Sequence, residues 1–361
     1  MTTVNLPLGP VCVDLAGTEL TDAERQRLLH PQVGGVILFS RNFRSVAQLC
    51  ALTREIHQLR SPRLIIAVDH EGGRVQRFRD GFTRLPPMAE LGKLWNDDRA
   101  AARALAARTG WVLAAELRAS GVDFSFAPVL DLDYGVSTVI GNRAFHAHPH
   151  AVSELGQYLM QGMRQAGMNA CGKHFPGHGH VVLDSHHALP VDDRPLSEIH
   201  GADLQPFRRL IEHGLAAVMP AHVIYAKVDE RPAGFSPRWL QDILRGQLGF
   251  QGAIISDALD MAGAAFAGNT IEERAKAAFE AGCDLVLATN RPEEAERLLQ
   301  RLDWQISPVS LSRLARLHGE PNPLQWDDLV HDLDFQSARR EVAALAGEGD
   351  ISRWGPDVGE A

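Results

Sequence analysis

The chain has 361 residues, 45% hydrophobic and 22% charged, with a formal net charge of −9. That is the balance of an ordinary globular protein with a core of normal size. With no basic block or Lys/Arg stripe, it excludes the electrostatic footprint of a nucleic-acid partner.

The N-terminal stretch MTTVNLPLGPVCVDLAG lacks a basic region, a long apolar segment and a small-residue cleavage site. No apolar run approaches membrane-spanning length. The expectation is a cytoplasmic protein without a membrane partner. Cys12, Cys50, Cys171 and Cys283 are scattered and form no CxxC pair, so reduced thiols are expected rather than a disulfide framework or a Cys-rich zinc site.

Short apolar runs then recur along the chain. VCVDL (11–15) and GVILF (35–39) come first, followed by the helical pattern SVAQLCALTREIHQL with Ser45 placed to cap it. LIIAVD (64–69) is the third run. The alanine-rich helix RAAARALAARTGWVLAAELRAS, with Gly121 beyond it as a C-terminal cap, leads to FSFAPVLD (124–131). ACGKHF (170–175) is the fifth. One helix over SEIHGADLQPFRRLIEHG precedes AVMPAH (217–222), SPRWLQDILRGQLG precedes AIISDA (253–258), and IEERAKAAFEAG precedes DLVLAT (284–289). A further helix is predicted from about Pro292 to Arg301.

Eight buried-type strands alternating with helices predict an α/β fold, a single parallel (β/α)8 TIM-type barrel. A doubly wound sheet is the rival, but the chain has neither GxGxxG after its first strand nor a GxxxxGK[ST] loop. The catalytic barrel is expected over 1–303. Residues 304–361 read as a C-terminal helical extension and tail, with a helix near Phe335–Ala346, and not as a separate domain.

In such a barrel the chemistry gathers at the C-terminal ends of the strands. Asp69, followed by HEGGR, ends the third run; Asp131, with Asp133 beyond it, ends the fourth; Lys173 and His174 end the fifth, and His222 the sixth. Asp257 follows an apolar strand, where desolvation makes an idle carboxylate costly, and it is the candidate nucleophile or base. Asp260 fits a cap.

KHFPGHGHVVLDSHHALP (173–190) holds five of the 16 histidines. One reading is a metal centre, with the HxH pair His178 and His180 joined by His222 and Asp257. A glycine-flanked loop is a poor support for fixed coordination, however. Another is acid–base chemistry, in which Asp184 orients His186 and favours its protonated form while Asp257 attacks an anomeric carbon. A third is a surface loop in which Asp184 and Ser185 cap a helix.

KHFPGHG with DSH, VDHEGGRVQRF (68–78), IGNRAF (140–145) and the IISDAL strand together resemble glycoside hydrolase family 3, in particular its bacterial cytoplasmic β-N-acetylhexosaminidases of cell-wall recycling. The likeness covers most of residues 10–290. It implies a retaining exo-enzyme that releases terminal N-acetylglucosamine from 1,6-anhydro-muropeptides, a small-molecule amino-sugar substrate, no cofactor and no metal, acting as a monomer. It further implies Asp257 as nucleophile, His186 paired with Asp184 as acid/base, and Asp69, Arg77, Arg143, Lys173 and His174 as sugar-binding residues. Transfer to phosphate, a metal-dependent barrel hydrolase and a non-catalytic sugar-binding protein are the alternatives. The chain departs from the family pattern at Ala258, where a second acidic residue often follows the nucleophile.

Overall fold

Eight short strands share one parallel sheet: β1 (Val11–Asp14), β2 (Val33–Leu38), β3 (Ile65–Val68), β4 (Phe124–Ser125), β5 (Cys171–Phe175), β6 (Ala217–Pro220), β7 (Ala253–Ala258) and β8 (Leu285–Ala288). Each pairs with its neighbours in chain order, and β8 returns to pair with β1. Isolated parallel bridges Ser125–Ala170 and Val129–Lys173 span the remaining seam between β4 and β5. The result is a nearly closed eight-stranded parallel barrel. The computed structural model describes residues 4–185, 189–321 and 323–347.

The strands are continuous apolar runs because both of their faces are covered. Every residue of β2 is buried, as is every residue of β3. The cover is helical: α1 (Asp22–Leu28), α2 (Val46–Gln58), α3 (Met88–Asp97), α4 (Arg99–Ala119), α5 (Pro149–Gln165), α6 (Leu196–Gly201), α7 (Leu204–Glu212), α8 (Ile271–Ala281) and α9 (Pro292–Arg301). Their ends follow the local chemistry. Ser45 Oγ accepts the Gln48 N–H at the start of α2. Helix α4 ends where Gly121 takes φ +86°, which lets the Val122 N–H reach back to the Leu117 carbonyl.

All eight expected strands are present, and the differences have local causes. The fourth run keeps only two strand residues, because Pro128 has no N–H to continue a ladder; the chain then runs on as buried loop to Asp131. The single helix expected before β6 is split into α6 and α7 at Asp203. That carboxylate is buried against Arg194, 2.8 Å away, and accepts from the Tyr134 hydroxyl at 3.0 Å. The split also leaves Pro206 in the first turn of α7, where a missing N–H costs nothing. Arg238–Gln247 winds as a π-helix, with the Leu248 N–H bonding the Ile243 carbonyl.

Three more helices follow: α10 (Pro308–Ala315), α11 (Trp326–His331) and α12 (Leu333–Ala346). Fully buried Phe335 of α12 meets Trp111 of α4 edge-on, and Trp326 of α11 packs on Phe82. No described helix is long and apolar enough to cross a membrane.

Candidate active site

The polar residues at the strand ends converge on one mouth of the barrel. Beyond β3, residues His70–Gly72 and Val75–Gln76 form a small antiparallel hairpin. It folds the GGR turn back, so that Arg77 follows a residue paired with His70. Ser125 Oγ of β4 fixes the entry to this hairpin, accepting the His70 N–H at 3.1 Å and donating to the His70 carbonyl at 2.9 Å. Arg74 Nη2 donates to the carbonyls of Thr138 and Val139, which anchors the segment carrying Arg143.

Two buried clusters result. In the first, Lys173 Nζ lies 2.6 Å from both Asp69 Oδ1 and Glu71 Oε1. Arg143 clasps Glu71 with two 2.8 Å bonds from Nε and Nη2, the fork geometry that suits a carboxylate. Burial opposes charge on Glu71, but Arg143 and Lys173 outweigh it and hold the carboxyl far below its usual range. Burial likewise opposes the Lys173 ammonium, and Asp69 and Glu71 more than restore it. Asp69 keeps 21% of its side chain exposed, so this chain of charges opens to solvent at Asp69.

In the second, His174 Nδ1 is 2.7 Å from Asp131 Oδ2, and Asp131 Oδ1 accepts the His178 N–H at 2.7 Å. Burial would raise the Asp131 carboxyl, but His174 lowers it on balance. The contact with Asp131 through Nδ1 fixes the orientation of the His174 ring. Adjacent Lys173 and His174 thus both serve the mouth, with a cis peptide bond between them.

Asp257 is half-buried at the end of β7 and accepts the Ala258 N–H at 2.8 Å. His222, from the end of β6, contacts the Ala258 carbonyl through Nε2 at 3.1 Å and stacks on Phe235. The negative charge of Asp257 acts weakly on buried His178 and Cys171, where burial is the larger influence. Asp260, expected as a cap, instead accepts from the Thr289 hydroxyl and Asn290 Nδ2, tying the β7 and β8 loops together.

The histidines of the 173–190 segment separate. His178 is buried with Nε2 3.0 Å from Ser185 Oγ, whereas His180 lies 3.8 Å from Asp192 and edge-on to Tyr134. They do not converge as an HxH pair would on one ion. Asp184 is half-buried, while its expected partner His186 lies outside the described residues, as does His187.

Asp69, Lys173 and Arg143 are therefore brought together through Glu71, and His174 joins the same mouth through Asp131. In sequence Glu71 stands only among the HEGGR residues that follow Asp69 at the strand end, and Asp131 only as a strand-end carboxylate. For Asp131 the available signal was its place in the apolar run FAPVLDL, where an acidic side chain needs a partner.

A parallel barrel with paired charges and a half-buried carboxylate around its C-terminal mouth has the architecture of a barrel enzyme. Residues 8–315 match the model of the glycosyl hydrolase family 3 N-terminal domain. A β-hexosaminidase of Thiobacillus denitrificans is 64% identical over 316 residues, 88% of each chain. One of Chromobacterium violaceum is 58% identical over 358 residues, 99% of this chain and all of that one. The crystal structure of native NagZ from Neisseria gonorrhoeae superposes with a TM-score of 0.92 at 50% identity, over 96% of this chain and 100% of that one. The chain belongs to glycosyl hydrolase family 3. It is an enzyme of that family's β-hexosaminidase type.

Proposed function

We propose that the enzyme is a retaining exo-β-N-acetylglucosaminidase. It removes the terminal non-reducing N-acetylglucosamine from 1,6-anhydro-muropeptides, in the cytoplasm, as part of cell-wall recycling. The observation that carries the reading is the charged bridge Asp69–Lys173–Glu71–Arg143 on the same mouth as half-buried Asp257. Asp69, Arg77, Arg143, Lys173 and His174 grip the hydroxyl and N-acetyl groups through charge-assisted bonds. The Asp257 carboxylate attacks the anomeric carbon while His186, paired with Asp184, protonates the departing oxygen. The same histidine then takes a proton from water, which opens the glycosyl ester and restores Asp257. An imidazole titrates near working pH without tuning, which suits it to both steps.

The catalytic unit in this reading is the barrel, 1–303, to which 304–361 is an addition rather than a second domain; Phe335, buried against Trp111 of α4, supports the absence of a second core. The enzyme acts as a monomer on a small-molecule substrate, without nucleic acid, metal or cofactor. Incubation with anhydro-muropeptide and with chitobiose, each with and without inorganic phosphate, tests the proposal. Free N-acetylglucosamine from the anhydro-muropeptide in all mixtures is expected. A sugar 1-phosphate formed only with phosphate identifies a phosphorylase, and no release from anhydro-muropeptide removes the recycling role.

A further inference from the structure

Asp257 stands at an irregularity in its own strand. Along the β7–β8 ladder, Ile255 pairs with Leu285 and Ala258 pairs with Leu287. Three steps of β7 therefore run beside two of β8, and Ser256 and Asp257 together take the place of one residue. Side chains alternate between the faces of a strand, and one extra residue breaks the alternation and re-aims what it carries. Such bulges are rare between parallel strands. This one falls on the carboxylate assigned to nucleophilic attack.

The neighbouring strand pins the bulge on both sides of Asp257. Before it, fully buried Ser256 turns its hydroxyl into the ladder, where Oγ accepts the Leu287 N–H at 3.1 Å. After it, the Leu259 N–H donates to the Leu287 carbonyl at 3.0 Å, and the Met261 N–H returns to the Ala258 carbonyl at 3.3 Å. Asp260, inside that turn, accepts from Thr289 Oγ1 at 2.9 Å and Asn290 Nδ2 at 3.1 Å. From the β6 side, His222 meets the same Ala258 carbonyl. The link to the carboxylate is direct. Asp257 Oδ1 accepts the Ala258 N–H at 2.8 Å, so the direction of the carboxylate is tied to the backbone that the bulge sets.

We propose that Ser256 and Asp260 are positioning residues for the reaction: they pin the β7 bulge against β8 and thereby aim the Asp257 carboxylate at the anomeric carbon. The inference rests on the reading of Asp257 as nucleophile given above. The bonds that join Asp69, Lys173, Glu71 and Arg143 run among those four side chains and do not pass through Ser256 or Asp260. Loss of either pin therefore slows attack and leaves the grip on the sugar intact.

The test measures kcat/KM on a 4-nitrophenyl β-N-acetylglucosaminide and, by calorimetry, the Kd for N-acetylglucosamine, in wild type, Ser256→Ala, Asp260→Ala and Asp257→Ala. Ser256→Ala and Asp260→Ala are each expected to lose about tenfold in kcat/KM, the size of a lost hydrogen bond, with Kd within about twofold of wild type. A serine or aspartate that served stability alone would lower the melting temperature and leave the kcat/KM of the folded enzyme unchanged. A loss under about threefold in either folded variant, or a Kd that weakens in step with kcat/KM, overturns the proposal. If Ser256→Ala does not fold, Asp260→Ala, altered at a half-buried position, decides by the same two criteria. Asp257→Ala separates the two levels of the argument. If it keeps the wild-type rate, the nucleophile reading fails and takes the proposal with it. If it abolishes turnover while the two pin variants stay at the wild-type rate, the reading stands and the proposal alone falls.

Discussion

Lys173 Nζ lies 2.6 Å from Asp69 Oδ1 across 104 positions of sequence. The contact joins the ends of β3 and β5 over the intervening β4. The same ammonium touches Glu71, which Arg143 holds from the other side. Lys173 and Arg143 are thereby satisfied from below, and Asp69 keeps one edge open to the mouth. A carboxylate held in this way accepts sugar hydroxyls without having to reorganise first.

Glu71 is the centre of that arrangement. Glu71→Gln leaves two buried cations short of a counter-charge and is expected to cost about 3–5 kcal/mol at neutral pH, with a raised KM. The folded protein holds this carboxyl far below its unfolded value of 4.5. Its contribution is therefore present above that value and lost as pH falls through the lower folded one. Denaturant titrations should show the gap between wild type and variant wide at pH 7 and narrowing below about pH 4.5.

Glu116 on α4 behaves in the opposite sense. Burial pushes its carboxyl up to about 7, against the opposing bonds from Thr83. The folded state thus keeps a proton that the unfolded chain releases near 4.5. The associated stability is present below that value and lost as pH rises through about 7. Glu116→Gln should remove this slope, gaining about 3 kcal/mol relative to wild type between pH 5 and pH 8. Paired urea titrations at those two values check it.

His222 is expected to act on Asp257 rather than on the proton donor. His222→Phe keeps an aromatic ring against Phe235 but loses the bond to the Ala258 carbonyl. The kcat should fall about tenfold on methyl and aryl glycosides alike. A selective effect on the methyl glycoside would argue against this role.

Gly179 in the 173–190 loop is required by space. A Cβ there would lie 1.8 Å from the Leu132 carbonyl oxygen. Gly179→Ala must displace the loop, at a cost of about 1–3 kcal/mol. Thermal melting and steady-state rates should show lower stability together with lower activity.

The barrel was legible because buried parallel strands write themselves as apolar runs, and eight such runs alternate with helical patterns. What the runs did not carry was backbone detail: the stop at Pro128, the break at Asp203 and the π-turns at 238–247. In the site, Asp69, Lys173, His174 and Asp257 were legible from their places at strand ends. Glu71 was legible only as one of the residues following Asp69, with nothing local to mark it as the centre of the cluster. Its partners Arg143 and Lys173 lie about 70 and 100 positions away, and only closure of the barrel brings them to it.

The central claim is that Asp257 forms a covalent bond to the sugar. Treatment with a 5-fluoro N-acetylglucosaminyl fluoride, which forms such an ester quickly and hydrolyses it slowly, followed by peptide mass spectrometry, tests it most directly. The account predicts one added sugar on the peptide containing Asp257 and none in Asp257→Ala. An unmodified Asp257 peptide from enzyme that still turns over substrate, or an adduct on another residue, would contradict it.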